Sequence, residues 1–80
     1  MFSVSRGYFS RKELPRWTYD VDVLFKDKLI AMVSFTHLQQ EGQFWMQNSD
    51  LWDNSQFDHD DMRTIIRLAR VFYANNAFPT

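Results

Sequence analysis

An alternation of apolar and polar side chains over residues 17–36 constrains the fold more than any other feature of the sequence. Two runs lie on either side of Lys26-Asp27-Lys28, and each places an apolar residue at every second position. Because successive side chains of a strand point to opposite faces of a sheet, this pattern predicts two strands that form an antiparallel hairpin. The apolar positions are Tyr19, Val21, Val23 and Phe25, followed by Leu29, Ala31, Val33 and Phe35.

The length of the connecting loop sets the register of this hairpin. A two-residue turn would place Asp20 opposite Phe35 and so mix charge into the apolar face. An odd-length loop keeps the apolar positions together on one face, and we therefore predict an odd loop. The predicted pairs are Phe25 with Leu29, Val23 with Ala31, Val21 with Val33, and Tyr19 with Phe35.

The rest of the chain adds one strand and one long helix to the prediction. Residues 37–42 are typical of a connection, residues 44–47 of a short third strand, and residues 48–55 of a polar loop. Residues 1–15 are compatible with a strand, a short helical turn or an arm. Ser10 to Glu13 has the spacing of a helix capping box, and Pro15 would end any helix there.

A helical repeat of apolar residues predicts a C-terminal helix over about residues 58–75. Ser55 or Asp58 can cap its N-terminus, and the acidic residues of its first turn complement the helix dipole. The predicted fold is a single α+β domain: an antiparallel meander of about three strands with this helix packed on one face. The apolar stripe consists of Met62, Ile65, Ile66, Ala69, Phe72 and Tyr73.

A single helix leaves the second face of the predicted sheet uncovered. That face carries Leu24, Ile30, Met32 and, in the third strand, Trp45. Since a contiguous apolar patch is unfavourable in water, we expect either the N-terminal segment or a second copy of the chain to cover it. A homodimer is therefore one of the expected assemblies.

Composition narrows the class of protein. The chain has 80 residues, 45% of them apolar, and no cysteine, which excludes disulfides, thiolate metal sites and a cysteine nucleophile. No apolar run approaches the length of a membrane span. We expect a soluble, cytoplasmic domain that does not contact membranes.

No catalytic or cofactor-binding motif is recognisable. The sequence has no glycine-rich phosphate loop, no nucleophile elbow and no histidine pair at zinc spacing. The run Asp58-His59-Asp60-Asp61 contains metal-ligand residue types, but successive helix positions point in different directions and do not converge on one ion. We predict neither enzymatic activity nor a metal or cofactor.

Charge is strongly segregated along the chain. Residues 41–61 contain six acidic residues and no basic one, whereas residues 62–80 contain Arg63, Arg67 and Arg70 and no acidic side chain. The arginines share one helical stripe and repel one another. Either internal carboxylates such as Asp60, Asp20 and Asp22 neutralise them, or they contact phosphate or an acidic protein.

The acidic region also carries aromatic residues, among them Trp45 and Trp52. Rings beside carboxylates can dock into a basic groove of another protein, because the rings supply buried area and the acids steer the encounter. The alternative is that the rings close the edge of the core while the acids keep the loop soluble. Trp52, flanked by Asp50 and Asp53, is predicted to be the ring exposed for binding.

These features favour a small non-catalytic protein-binding module. Compact, cysteine-free, aromatic-rich domains of this length are common among bacteriophage and other mobile-element proteins, and by that association we expect a regulatory or inhibitory role. The alternatives are a nucleic-acid-binding domain that uses the arginine stripe and a purely structural homo-oligomer subunit. The predicted partner-binding residues are Trp45, Asp50, Trp52, Asp53, Arg63, Arg67 and Arg70.

Overall fold

The computed structural model describes residues 1–11 and 16–77, which form an antiparallel sheet and two helices. The strands lie in the order β1-β2-β3-β4, so every strand pairs with its neighbour in sequence. The α+β class, the meander and the C-terminal helix are as predicted, with one additional strand at the N-terminus. The elements are β1 (Phe2–Arg11), β2 (Thr18–Phe25), β3 (Lys28–Thr36), β4 (Gln43–Met46), α1 (Ser49–Ser55) and α2 (His59–Asn76).

The N-terminal residues form β1, an edge strand paired with β2. Of the alternatives left open for this region, the strand is the one observed. The segment therefore extends the sheet at its edge instead of folding over its second face. The pairing with β2 is irregular between Val4 and Arg6 and again between Phe9 and Arg11. The capping-box spacing and Pro15 involve residues 12–15, which lie outside the described residues.

The hairpin of β2 and β3 pairs its apolar residues largely as predicted but has a different turn. Ile30, predicted to lie on the second face, is instead fully buried in the core. Tyr19 pairs with Phe35, Val21 with Val33, and Val23 with Ala31, as expected. The odd loop is wrong, because Phe25 lies opposite Lys28 and only Lys26 and Asp27 connect the strands. An extra residue in β3, between Leu29 and Ala31, restores the register. A bulge thus reconciles a two-residue turn with an unbroken apolar face.

Both turn residues have a left-handed backbone, with φ of 51° at Lys26 and 64° at Asp27. Two-residue hairpin turns of this kind favour glycine at the second position, because a Cβ is strained there. Asp27→Gly is therefore expected to raise the free energy of unfolding by about 0.5–1 kcal/mol in urea titrations. The control Lys28→Gly changes an exposed strand residue and should lower it. Equal losses from both substitutions would contradict this turn geometry.

Helix α2 covers the apolar face of the sheet. The side chains of Ile65, Ala69 and Tyr73 are buried, and the Tyr73 ring stacks on Phe35 with centroids 4.3 Å apart and planes at 4°. The helix begins after Asp58, whose carboxylate accepts a hydrogen bond from the backbone N–H of Asp61 in a capping box. That bond lowers the pKa of Asp58 because it stabilises the charged carboxylate. The predicted helix, its apolar stripe and its cap are thereby confirmed.

The predicted polar loop at residues 48–55 is wrong, since it contains the short helix α1. Asn48 and Gln56, both with left-handed backbone, lie on either side of this helix. The Asn48 side chain donates to the carbonyl of Leu29, which ties the helix start to the beginning of β3. Helix α1 therefore presents Trp52 to the core at the edge of the sheet.

Candidate functional site

The seven predicted binding residues lie on three elements. Arg63, Arg67 and Arg70 are exposed on α2, Asp50 and Asp53 are exposed on α1, and Trp45 is exposed on β4. Trp52 is the exception, because it points inward from α1. Each of these three elements is therefore a separate candidate surface.

Trp52 is a core residue, which corrects the prediction that it is exposed for binding. Only 7% of its surface is accessible to solvent. Its indole Nε1 donates a hydrogen bond of 2.7 Å to the carbonyl of Ile30, and its ring meets Phe44 and Phe57 edge to face. A satisfied, buried indole of this kind stabilises the fold and leaves nothing to offer a partner.

The acidic surface of α1 therefore lacks the aromatic anchor that the prediction gave it. Asp50 lies beside a shallow depression of about 500 Å³ that also includes Lys28 and Leu51. The Lys28 ammonium group brings an opposite charge to the same depression. Asp53 is exposed on the same short helix. Charge without buried apolar area steers an encounter but adds little affinity.

The outer side of α2 carries what we call the arginine face: Arg63, Ile66, Arg67, Arg70 and Val71. These five side chains line a depression of about 290 Å³. Val71, which lies one turn after Arg67 and directly after Arg70, is 55% exposed. The arginine face thus combines positive charge with an accessible apolar side chain.

The arginine face is only weakly neutralised within the part of the chain that the structure describes. Among residues 1–11 and 16–77, Arg63 has an ion pair with Asp60 at 3.8 Å, and both side chains are highly exposed. Exposed pairs of this length contribute very little. Arg70 donates a 2.6 Å hydrogen bond to the backbone carbonyl of Glu41, which orients the guanidinium but leaves its charge uncompensated. Within the same residues Arg67 has no ion-pair partner.

A second depression continues the arginine face towards β1. It has a volume of about 360 Å³. Arg67 and Val71 line both this depression and the one on the arginine face. Its lining is mainly apolar and spans the gap between the helix and the edge strand. The lining residues are Val4, Arg67, Leu68, Val71, Phe72, Asn75 and Asn76.

Asp20 and Asp22 do not neutralise the arginine stripe. They alternate with the core residues of β2 and so lie on the sheet face opposite α2, where they are only 6% and 8% exposed. The carboxylate of Asp22 forms a salt bridge with Arg6 and accepts a 2.9 Å hydrogen bond from its Nε. This carboxylate raises the pKa of Arg6. Asp20 accepts a 2.7 Å hydrogen bond from the hydroxyl of Ser34. Cross-strand partners thus satisfy both carboxylates locally.

Sequence reasoning missed this polar cluster on the open face. The signal was available, since the alternation that predicts the hairpin also places Asp20 and Asp22 on the side away from the core. Arg6 was not assigned to that side because the irregular pairing of β1 hides its register. The guanidinium of Arg6 also lies 4.7 Å from the centroid of the Tyr8 ring. The cluster therefore has its own internal partners.

Comparison of the chain with protein-family models, curated proteins and solved structures finds no match. Within the described residues, no set of three or more His, Asp or Glu side chains is arranged to share a metal ion. In the same part of the chain, neither helix has the length and apolar content that crossing a bilayer requires. The arginine face is the strongest candidate site within residues 1–11 and 16–77, because it joins three weakly neutralised arginines to an accessible apolar side chain.

Proposed function

We propose that this chain is a small non-catalytic protein-binding domain whose arginine face docks an acidic, partly apolar segment of another protein. One observation supports the proposal above the others. Arg67 has no carboxylate partner among residues 1–11 and 16–77, and it lies directly beside Val71, which is 55% exposed. By occupying such a segment, the domain would regulate or inhibit the protein that carries it.

Three clustered arginines whose one carboxylate contact within the described residues is the exposed Arg63–Asp60 pair favour an external anion. Arg63 and Arg67 are separated by one turn, as Arg67 and Arg70 nearly are, so their like charges destabilise the free helix slightly. A carboxylate from a partner would remove that repulsion and would accept paired N–H groups from a guanidinium fork. The gain in binding free energy is therefore larger for these arginines than for an arginine that is already paired with a carboxylate in the free domain.

The apolar part of the surface favours a protein over a nucleic acid. Val71 and the apolar lining of the second depression offer a contact for aliphatic side chains, which phosphates do not supply. The three cations extend over about 10 Å of helix, enough for only a few phosphates. The net charge of the chain is −1, so it lacks the broad basic surface typical of nucleic-acid binders.

The proposal is tested with labelled synthetic peptides and fluorescence anisotropy on the full chain. A short peptide in which Asp alternates with Leu is expected to bind with a micromolar dissociation constant. Arg67→Glu should weaken that binding at least about tenfold, because it replaces an attraction with a repulsion at the centre of the face. Arg11→Glu, which makes the same charge change at an exposed position of β1, is the matched control and should have little effect.

Three further probes separate the alternatives. A peptide with Ser in place of Leu should bind more weakly if apolar contact contributes, and a peptide with Lys in place of Asp should not bind. A single-stranded oligonucleotide that binds more tightly than the Asp-Leu peptide, with a steep loss in salt, would support the nucleic-acid alternative instead. If Arg67→Glu and Arg11→Glu weakened peptide binding equally, the peptide would be attracted only by the net charge of the domain, and the proposal would be wrong.

A further inference from the structure

The two edges of the sheet are protected to very different degrees. Strand β1 carries Arg6 and Arg11 and two irregularities of pairing, which are features that discourage another strand from adding to an edge. Strand β4 has no charged residue, no proline and no irregularity against β3. It also exposes Trp45 by 45% and Met46 by 54%. Although β4 is only four residues long, an uncharged edge with regular pairing and two large exposed side chains favours pairing with another strand.

The hydrogen bonds of β4 identify which backbone groups are free for such pairing. The N–H of Gln47 donates to the carbonyl of Ile30 at 2.9 Å, in continuation of the pairing between β3 and β4. In an antiparallel ladder, hydrogen-bonded and non-hydrogen-bonded pairs alternate. The backbone groups of Trp45 are therefore directed towards Met32 of β3. Those of Phe44 and Met46 are directed outward, away from the sheet.

Residues 43–47 are close to a palindrome: Gln-Phe-Trp-Met-Gln. An antiparallel copy centred on Trp45 would place Gln43 opposite Gln47, Phe44 opposite Met46, and Trp45 opposite itself. Like side chains then meet like side chains on each face. Phe44 and Met46, whose backbone groups point outward, become the hydrogen-bonded pairs of the new ladder.

We propose that β4 pairs with β4 of a second copy of this chain, about a two-fold axis at Trp45, and so joins two sheets into one of eight strands. The occupant is a second copy because the segment carries no charge that would repel its own copy and is complementary to itself in side-chain type and in hydrogen-bond direction. A two-fold contact requires this self-complementarity, in which each residue meets its symmetry mate in the reversed strand. The Trp45 rings lie opposite each other in a non-hydrogen-bonded pair, where side chains are closest.

The contact is limited in size, which sets the expected affinity. The pairing supplies about four backbone hydrogen bonds between the Phe44 and Met46 groups, and it buries two copies each of Trp45 and Met46. This is less than a standard protein interface, so a micromolar dissociation constant is expected. Helix α2 packs mainly against β1, β2 and β3, and the residues of its arginine face include none of β4. The dimer is thus independent of the acidic partner proposed above.

Sedimentation velocity of the full chain, from low micromolar to near-millimolar concentration, tests the dimer. The mass should rise from one chain to two, and Trp45→Lys should raise the dissociation constant at least about tenfold, because it places two lysines directly opposite each other. Ser3→Lys puts the same charge on the other edge strand and is the matched control. Circular dichroism verifies folding, and Met46→Lys replaces Trp45→Lys if that variant unfolds.

Amide hydrogen exchange of the unmodified chain gives a second readout that needs no variant. Raising the concentration should slow exchange at Phe44 and Met46, whose N–H groups point outward, with much less change at Trp45. A chain that stays monomeric throughout would overturn the proposal. It would also be overturned by a dimer that Ser3→Lys disrupts and Trp45→Lys does not, or by unchanged exchange at Phe44 and Met46.

Discussion

Trp52→Ala is expected to lower the free energy of unfolding by about 3–5 kcal/mol, a large part of the total stability of a domain this small. The substitution removes a ring with 7% exposure that packs against Phe44 and Phe57 at centroid distances of 5.6 and 4.8 Å. It also leaves the carbonyl of Ile30 without the indole donor. Because α1 is short and has few other buried contacts, the cavity is expected to release the whole helix.

Urea unfolding monitored by far-ultraviolet circular dichroism measures this loss. Trp52→Phe keeps an aromatic ring but removes the hydrogen bond, so a smaller loss of about 1–2 kcal/mol is expected. Trp45→Ala, measured at low micromolar concentration, removes an indole that is 45% exposed and should cost much less than either change. If Trp45→Ala and Trp52→Ala destabilised the domain equally, the assignment of Trp52 to the core would be wrong.

Gly7→Val is expected to destabilise the domain by about 3 kcal/mol or more, because β1 and α2 meet too closely at this glycine for a side chain. A Cβ on Gly7 would lie 2.5 Å from Cε1 of Phe72 and 2.8 Å from Cε1 of Tyr19, and it would overlap the Tyr19 hydroxyl. Both rings are packed, and neither is the free end of a flexible chain. The helix must therefore move away from the sheet, or the strand must detach.

The steric cause can be tested with a double-mutant cycle. Phe72→Leu has a smaller side chain at the point of overlap, so its combination with Gly7→Ala should be less destabilising than the sum of the two single changes. Ser5→Val adds the same side chain as Gly7→Val to an exposed position of β1, and it should change the stability little. Strict additivity of Gly7→Ala and Phe72→Leu would exclude a clash between these two residues.

The strands and the long helix were predictable because their apolar residues repeat at the right period. Strand β1 was one of several alternatives for residues 1–15 because the alternation of its apolar residues is interrupted. Phe2 and Val4 lie at alternate positions, the irregularity after Val4 adds a residue, and the pattern resumes at Gly7 and Phe9. Strict alternation does not reveal a strand in which a bulge moves the apolar residues from odd to even positions, or the reverse, partway along.

The odd loop was predicted for a sound reason that a bulge made unnecessary. The alternation of the two runs demanded that Val23 lie opposite Ala31, and only an odd loop satisfies this without an extra residue. The structure instead inserts Ile30 as that extra residue. Single-residue bulges leave no mark on hydropathy, so the choice between the two solutions depends on tertiary packing.

The candidate site was predictable in its charges but not in its rings. The spacing of Arg63, Arg67 and Arg70 fixes their common stripe on any helix. The burial of Trp52 depends on the orientation of α1 after β4, and Asn48, which has a left-handed backbone, lies at this junction. Asparagine adopts this conformation more often than most residues, but its presence alone does not predict it.

The position of α2 after all four strands has a consequence for synthesis of the chain. While a ribosome is producing the meander, the apolar face that α2 later covers, including Val21, Val33 and Phe35, is open to water. Partly made domains with exposed apolar faces tend to aggregate and to recruit chaperones. The nascent meander is therefore expected to be prone to aggregation, and it becomes protected only when α2 has left the ribosome and packed on the sheet.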